Sequence, residues 1–152
     1  MGSEKIWPTR ETVQITLGTG LQARDQLRAA LADWGLDFQT VTEIPFDIEL
    51  VGTGSAAEMF DSCAALTTVP DMDTSSVTNM DFMFYNCASL TSAPDLNTAQ
   101  VIGTRYMFYG CASLTDGNVR LIGRHRKVYT FAMIDGSSLT RRPFYNAAGN
   151  PI

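Results

Sequence analysis

The sequence predicts an α/β repeat protein, a short solenoid with a parallel β-sheet. A strand–helix cap is expected at its N-terminal side and a cap or tail at its C-terminal side. Three observations lead there. Nine positions recur in register through the middle of the chain, with a period of about 24 residues. A strand-like alternation followed by a helix-like periodicity precedes the first copy. After the last clear copy the pattern decays into a segment of different character. A length of 152 residues suits one domain with a sizeable core, and 45% hydrophobic residues against 18% charged ones can supply it.

The elements follow in order. Residues 11–17 alternate apolar and polar, with Val13, Ile15 and Leu17 on one face, and read as a strand. Residues 19–34 read as a helix: Ala23, Leu27, Ala30, Leu31 and Trp34 fall on one face, Thr19-Gly20-Leu21-Gln22 has the form of a capping box, and Gly35 is placed to end it. Gly18-Thr19-Gly20 lacks the third glycine and the Lys-Ser/Thr of a phosphate loop and reads as a tight turn. The resulting division is a cap over 1–40, repeats over 41–140 and a docking tail over 141–152.

The repeat itself is written three times. Met59-Phe60-Asp61-Ser62-Cys63-Ala64-Ala65-Leu66-Thr67 is the first copy, and Met83-Phe84-Tyr85-Asn86-Cys87-Ala88-Ser89-Leu90-Thr91 is the second. Met107-Phe108-Tyr109-Gly110-Cys111-Ala112-Ser113-Leu114-Thr115 is the third, at the same spacing. A worn copy ends at Ser138-Leu139-Thr140, and Val41-Thr42-Glu43-Ile44-Pro45 is a degenerate beginning. Phe82 matches Tyr106, and Val69-Pro70-Asp71-Met72 matches Ala93-Pro94-Asp95-Leu96. A fixed period in the twenties implies stacked units whose equivalent side chains form ladders. The expected ladders are Met59/Met83/Met107, Phe60/Phe84/Phe108, Cys63/Cys87/Cys111 and Leu66/Leu90/Leu114/Leu139. Short parallel strands are expected at 66–69 and 90–93, each ended by its proline, with the Met-Phe segments forming a helical or 3₁₀ turn. The three cysteines sit at equivalent positions and read as buried, reduced residues rather than a disulfide framework or metal site.

Charge and composition exclude several functions. A net charge of −5 argues against a nucleic-acid partner. No run of about 18 apolar residues is present, so no membrane insertion is expected. Residues 1–8 lack the apolar stretch of a signal peptide. A single histidine, His125, lies in Arg124-His125-Arg126-Lys127, where positive neighbours make it a poor base. Asp71 and Asp73 lack the glycine and glutamate of a calcium loop, and Asp71 recurs as Asp95 in a turn. No catalytic residue, metal or cofactor is therefore expected. Charge is divided along the chain. Residues 1–117 hold 15 acidic and 5 basic residues, net −10, and residues 118–152 hold 1 acidic and 6 basic, net +5. The basic end suggests docking through Arg124, Arg126, Lys127, Arg141 and Arg142, with Phe144 and Tyr145 as anchors. Where Tyr85 and Tyr109 point is left open.

The unit Met-Phe-Tyr-x-Cys-x-Ser-Leu-Thr-x-x-Pro-Asp-Leu-x-Thr-x-x-Val resembles the BspA-type leucine-rich repeat of bacterial surface lipoproteins and bacteriophage structural proteins. The closing segments, from Leu114 to Arg120 and from Ser138 to Tyr145 and Ile152, are similar to the ends of short repeat proteins of actinobacterial phages. The resemblance implies a leucine-rich-repeat-like solenoid that binds or scaffolds and has no catalysis. It favours a virion surface protein made in the host cytoplasm, a capsid decoration or minor capsid protein. Its partner would be a major capsid or tail protein, or a second copy of itself. The alternatives it leaves are a tail-tip protein binding a host glycan or protein, and a bacterial surface adhesion module.

Overall fold

The computed structural model describes residues 10–123 and 128–152. Strand β1 (Thr12–Thr16) pairs in parallel with β2 (Asp47–Val51) over five residues, from Thr12 opposite Asp47 to Thr16 opposite Val51. Alternation turns Ile15 and Ile48 inward. Between them lies α1 (Ala23–Asp33), which buries Ala23, Leu27 and Leu31. The helix is shorter than the expected 19–34. Gly18 and Gly20 stand at φ 77° and 82°, outside helical space, so Thr19 caps nothing. Gln22 precedes the helix in extended conformation without a side-chain cap. Gln26 ties the helix to β1 instead: its Oε1 accepts from Thr16 N at 2.8 Å and its Nε2 donates to Thr16 O at 2.7 Å. Gly35, at φ 71°, closes the helix by donating to Ala32 O.

The expected solenoid with a continuous parallel sheet is corrected by the strand pairing. The remaining strands are very short and belong to separate sheets: β3 (Gly54–Ser55) with β4 (Val77–Asn79), and β5 (Leu96–Asn97) with β6 (Leu121–Ile122) and β7 (Phe144–Tyr145), all parallel. The fold is thus a set of small parallel sheets of two or three strands and one short helix. Nor do 66–69 and 90–93 form strands. Each contributes isolated hydrogen bonds, such as Thr91 N to Thr67 O and Ala93 N to Asn118 O.

The Met-Phe segments are neither strand nor helix, and the reason is local. Each contains two residues in the left-handed region, at Glu58 and Ser62 (φ 63° and 66°), Phe82 and Asn86 (59° and 57°), and Tyr106 and Gly110 (55° and 74°). Such residues interrupt any run of helical or extended backbone. Neighbouring segments still bond to one another. Phe60 N donates to Met83 O and Phe84 N to Met107 O, both at 2.9 Å.

The core lies beneath these turns. Phe60, Phe84 and Phe108 are fully buried and stack with centroids 5.3 and 5.5 Å apart and planes within 1° and 4° of parallel. Trp34 stacks on Phe46 at 5.9 Å where α1 and β2 meet the rest. Among the described residues no helix is long and apolar enough to cross a membrane.

Candidate functional site

The turns that bury Met83, Phe84, Met107 and Phe108 push the intervening aromatic residues outward. Phe82 stacks on Tyr106 at 4.8 Å and 12°, and Tyr85 on Tyr109 at 5.1 Å and 11°. The two columns touch through tilted contacts, Phe82 with Tyr85 at 5.4 Å and Tyr106 with Tyr109 at 5.7 Å. Phe131 adds an edge contact to Tyr106 at 5.5 Å. The four central rings are half-buried, while Phe131 and Tyr129 are 68% and 64% exposed. The result is an aromatic strip on the surface.

An ion pair borders the strip. Asp81, buried in the turn, accepts from Arg105 N at 2.7 Å and Nε at 3.1 Å and lies 2.9 Å from Nη2. The Arg105 guanidinium sits 5.4 Å from the Tyr129 ring centre. Gly103 leaves room for this carboxylate, because a Cβ at that position would lie 2.6 Å from Asp81 Oδ1. Asp81, Phe82, Arg105, Tyr106, Tyr129 and Phe131 line an open groove of about 600 Å³. Within each column the stacked neighbour covers one face of each ring.

The residues expected to form ladders are all buried: Met59, Met83, Met107, Phe60, Phe84, Phe108, Cys63, Cys87, Cys111, Leu66, Leu90, Leu114 and, at the far end, Leu139. The cysteines are free thiols. Cys87 Sγ donates to Phe60 O at 3.1 Å and Cys111 Sγ to Phe84 O at 3.0 Å. Burial pushes the Cys63 and Cys111 thiols up to about 12 and raises Cys87 as well. They are packing groups, not nucleophiles.

The expected docking residues divide. Arg124, Arg126 and Lys127 lie outside the described residues. Arg141 and Arg142 are exposed, and Phe144 is half-buried beside them. Tyr145 is buried, and its hydroxyl accepts from Arg141 Nη2 at 2.9 Å while the Arg120 guanidinium lies 5.8 Å from its ring centre. Tyr145, expected as a docking anchor, thus has its ring packed within the chain, where the tail folds back through β7. Arg120 is itself held by Asp95, with bonds of 2.9 and 2.5 Å.

Sequence reasoning misses the strip as a site although its signal is present. Phe82 and Tyr106 hold equivalent places in the repeat, as do Tyr85 and Tyr109. Their outward direction depends on the left-handed residues, which no periodicity announces. Among the described residues no group of three or more His, Cys, Asp or Glu side chains is placed to hold a metal ion.

No curated protein and no solved structure matches the chain. A family profile described as Mycoplasma protein of unknown function, DUF285, does match it over residues 38–129. The chain belongs to that family, a BspA-like surface-repeat family.

Proposed function

We propose that this chain is a non-enzymatic binding protein displayed on a surface, and that the aromatic strip is its recognition face. The observation that carries this is the strip itself: six aromatic side chains clustered beside a fixed Asp81–Arg105 pair, with Tyr129 and Phe131 largely exposed. Tyrosine and arginine are the residue types that dominate protein–protein hot spots. The ligand class it favours is protein. Membership of a surface-repeat family agrees with display.

The surface we propose is that of a virion, with the chain as a capsid decoration or minor capsid protein. This placement rests on the likeness of its closing segments to actinobacterial phage repeat proteins and on the +5 charge of residues 118–152. A tail-tip protein or a bacterial adhesion module that grips a host protein is the second reading, and the exposed strip is what favours it. The test is co-sedimentation of the purified chain with assembled capsid shells and with intact host cells, compared for the wild type and Y85S/Y109S. Binding weakened in the variant by about 2 kcal/mol or more supports the strip as a hot spot, and the particle or cell that binds identifies the surface. A double variant that binds as tightly as the wild type refutes the recognition face.

A further inference from the structure

The Met-Phe segments share one hydrogen-bond scheme, and it ends in an open row. In each segment alternate N–H groups bond within the turn, as Met83 N to Met80 O and Tyr85 N to Phe82 O. The intervening N–H groups donate to the next segment. Phe82, Phe84 and Asn86 donate to Arg105, Met107 and Tyr109 at 2.8, 2.9 and 2.7 Å. Tyr106, Phe108 and Gly110 donate to Phe131, Met133 and Asp135 at 3.0, 2.9 and 3.0 Å.

Segment 131–137 reproduces the local half of the scheme. Met133 N donates to Thr130 O, Asp135 N to Ala132 O and Ser137 N to Ile134 O. Its left-handed residues are Ala132 and Gly136, at φ 50° and 70°. The donors that would reach a further segment are the N–H groups of Ala132, Ile134 and Gly136. None of the three has an acceptor among the described residues. Ala132 and Ile134 are half-buried and Gly136 is exposed, so the segment lies at the surface. An unpaired row of backbone groups is a template for another chain.

What surrounds the row narrows the partner. A cavity of about 550 Å³ borders it, where Arg141, Arg142, Phe144 and Ile152 face Ile134 and Asp135. Phe144 and Ile152 offer apolar surface, and Ile152 is 64% exposed. The Arg142 side chain makes no hydrogen bond or ion pair among the described residues, while its carbonyl accepts from Phe144 N at 2.9 Å. Its charged lining is one carboxylate, Asp135, against two arginines, within a segment of net charge +5. At the other end of the series Arg24 of α1 reaches Glu58 and Asp61, each at 3.9 Å, so the chain's own helix lies against the first segment. A second copy stacked head to tail would have to displace that helix.

We infer that the row formed by the Ala132, Ile134 and Gly136 N–H groups, with Arg141 and Arg142, is a docking site for an extended acidic segment of a different protein. Carbonyls at alternate residues of an extended segment point to one side and match donors at alternate residues. Its carboxylates meet the arginines, and its small apolar side chains meet Phe144 and Ile152. This row adjoins the aromatic strip at Phe131 but uses different groups, and it stands whether or not the strip binds protein.

The probe is a blocked peptide alternating Glu and Val, titrated at low salt into the isotope-labelled full chain and followed by NMR and amide exchange. The expected result is slowed exchange at Ala132, Ile134 and Gly136, with the Phe84 and Phe108 amides unchanged. R142Q should weaken that binding about tenfold, as should replacing Glu by Lys in the peptide. Three results overturn the inference: no change at the three amides at millimolar peptide, equal binding of the Lys peptide, or equal binding by R142Q. Protection of the same amides in the chain alone, rising with its concentration, also overturns it, because the occupant is then a second copy.

Discussion

Replacing Phe84 by alanine probes the centre of the fold most directly. The ring is fully buried and lies between Phe60 at 5.3 Å and Phe108 at 5.5 Å, nearly parallel to both. Truncating a buried phenylalanine costs about 3–5 kcal/mol. Phe84 belongs at the upper end, because it loses two ring pairs, each contributing about 0.5–1.5 kcal/mol beyond burial. Phe60→Ala removes one of those pairs, so Phe84→Ala should exceed it by about 0.5–1.5 kcal/mol. A domain of this size is stable by about 5–15 kcal/mol, so the variant should still fold or sit near its threshold. Urea unfolding followed by circular dichroism reads the loss. With a slope of about 1–3 kcal/mol per molar urea, a loss of about 4 kcal/mol moves the midpoint down by more than about 1 M. Phe84→Leu keeps most of the volume and loses both ring pairs, which gives an intermediate value should the alanine variant fail to fold. A Phe84→Ala loss below about 1 kcal/mol, or one no larger than that of Phe60→Ala, would show that the rings do not act as a stack.

Gly103→Ala puts a methyl 2.6 Å from Asp81 Oδ1, so the carboxylate must leave Arg105, and stability should fall by about 1–3 kcal/mol. In an Asp81→Ala background the same change should be milder, and strict additivity in that double-mutant cycle would refute the steric coupling. The thiols impose a pH dependence of defined sign. Burial raises Cys63 and Cys111 from the ordinary 9.0 to about 12, so folding favours the protonated form. That contribution is whole below pH 9.0 and is lost as pH rises from there towards 12, so the urea midpoint should drop across that window. Cys111→Ala should flatten the drop, and rapid alkylation of the folded chain at neutral pH would contradict the burial.

Sequence reasoning reached the buried positions and stopped short of the architecture. A regular spacing identifies which side chains are equivalent, so Phe60, Phe84 and Phe108 could be grouped from their positions alone. It carries no information on backbone dihedrals. The expected sheet at 66–69 and 90–93 fails because pairing there is limited to isolated hydrogen bonds, and because the most regular contacts run through turns at Phe82, Asn86 and Tyr106. Those residue types seldom advertise a left-handed conformation, asparagine excepted. The same blindness hid the strip: outward direction at Phe82 and Tyr85 is a property of the turn. Arg141 and Arg142 were legible as a basic end. That Tyr145 would turn inward beneath them was not, since an aromatic residue in a tail reads the same whether it anchors a partner or closes its own sheet.

Phe82 and Tyr106 carry large side chains on a backbone conformation that glycine would occupy without strain. Holding a non-glycine residue there costs about 1–2 kcal/mol. The return is directional stiffness. Each ring is aimed by its own left-handed main chain, which is clamped by bonds to the neighbouring segment, and by a second ring against its face. Such side chains have little rotamer freedom left to lose when a ligand arrives, so the entropy of ordering the surface has been met during folding. The strip should therefore behave as a hard template that selects partners already matching its relief, with small adjustment of its own on contact.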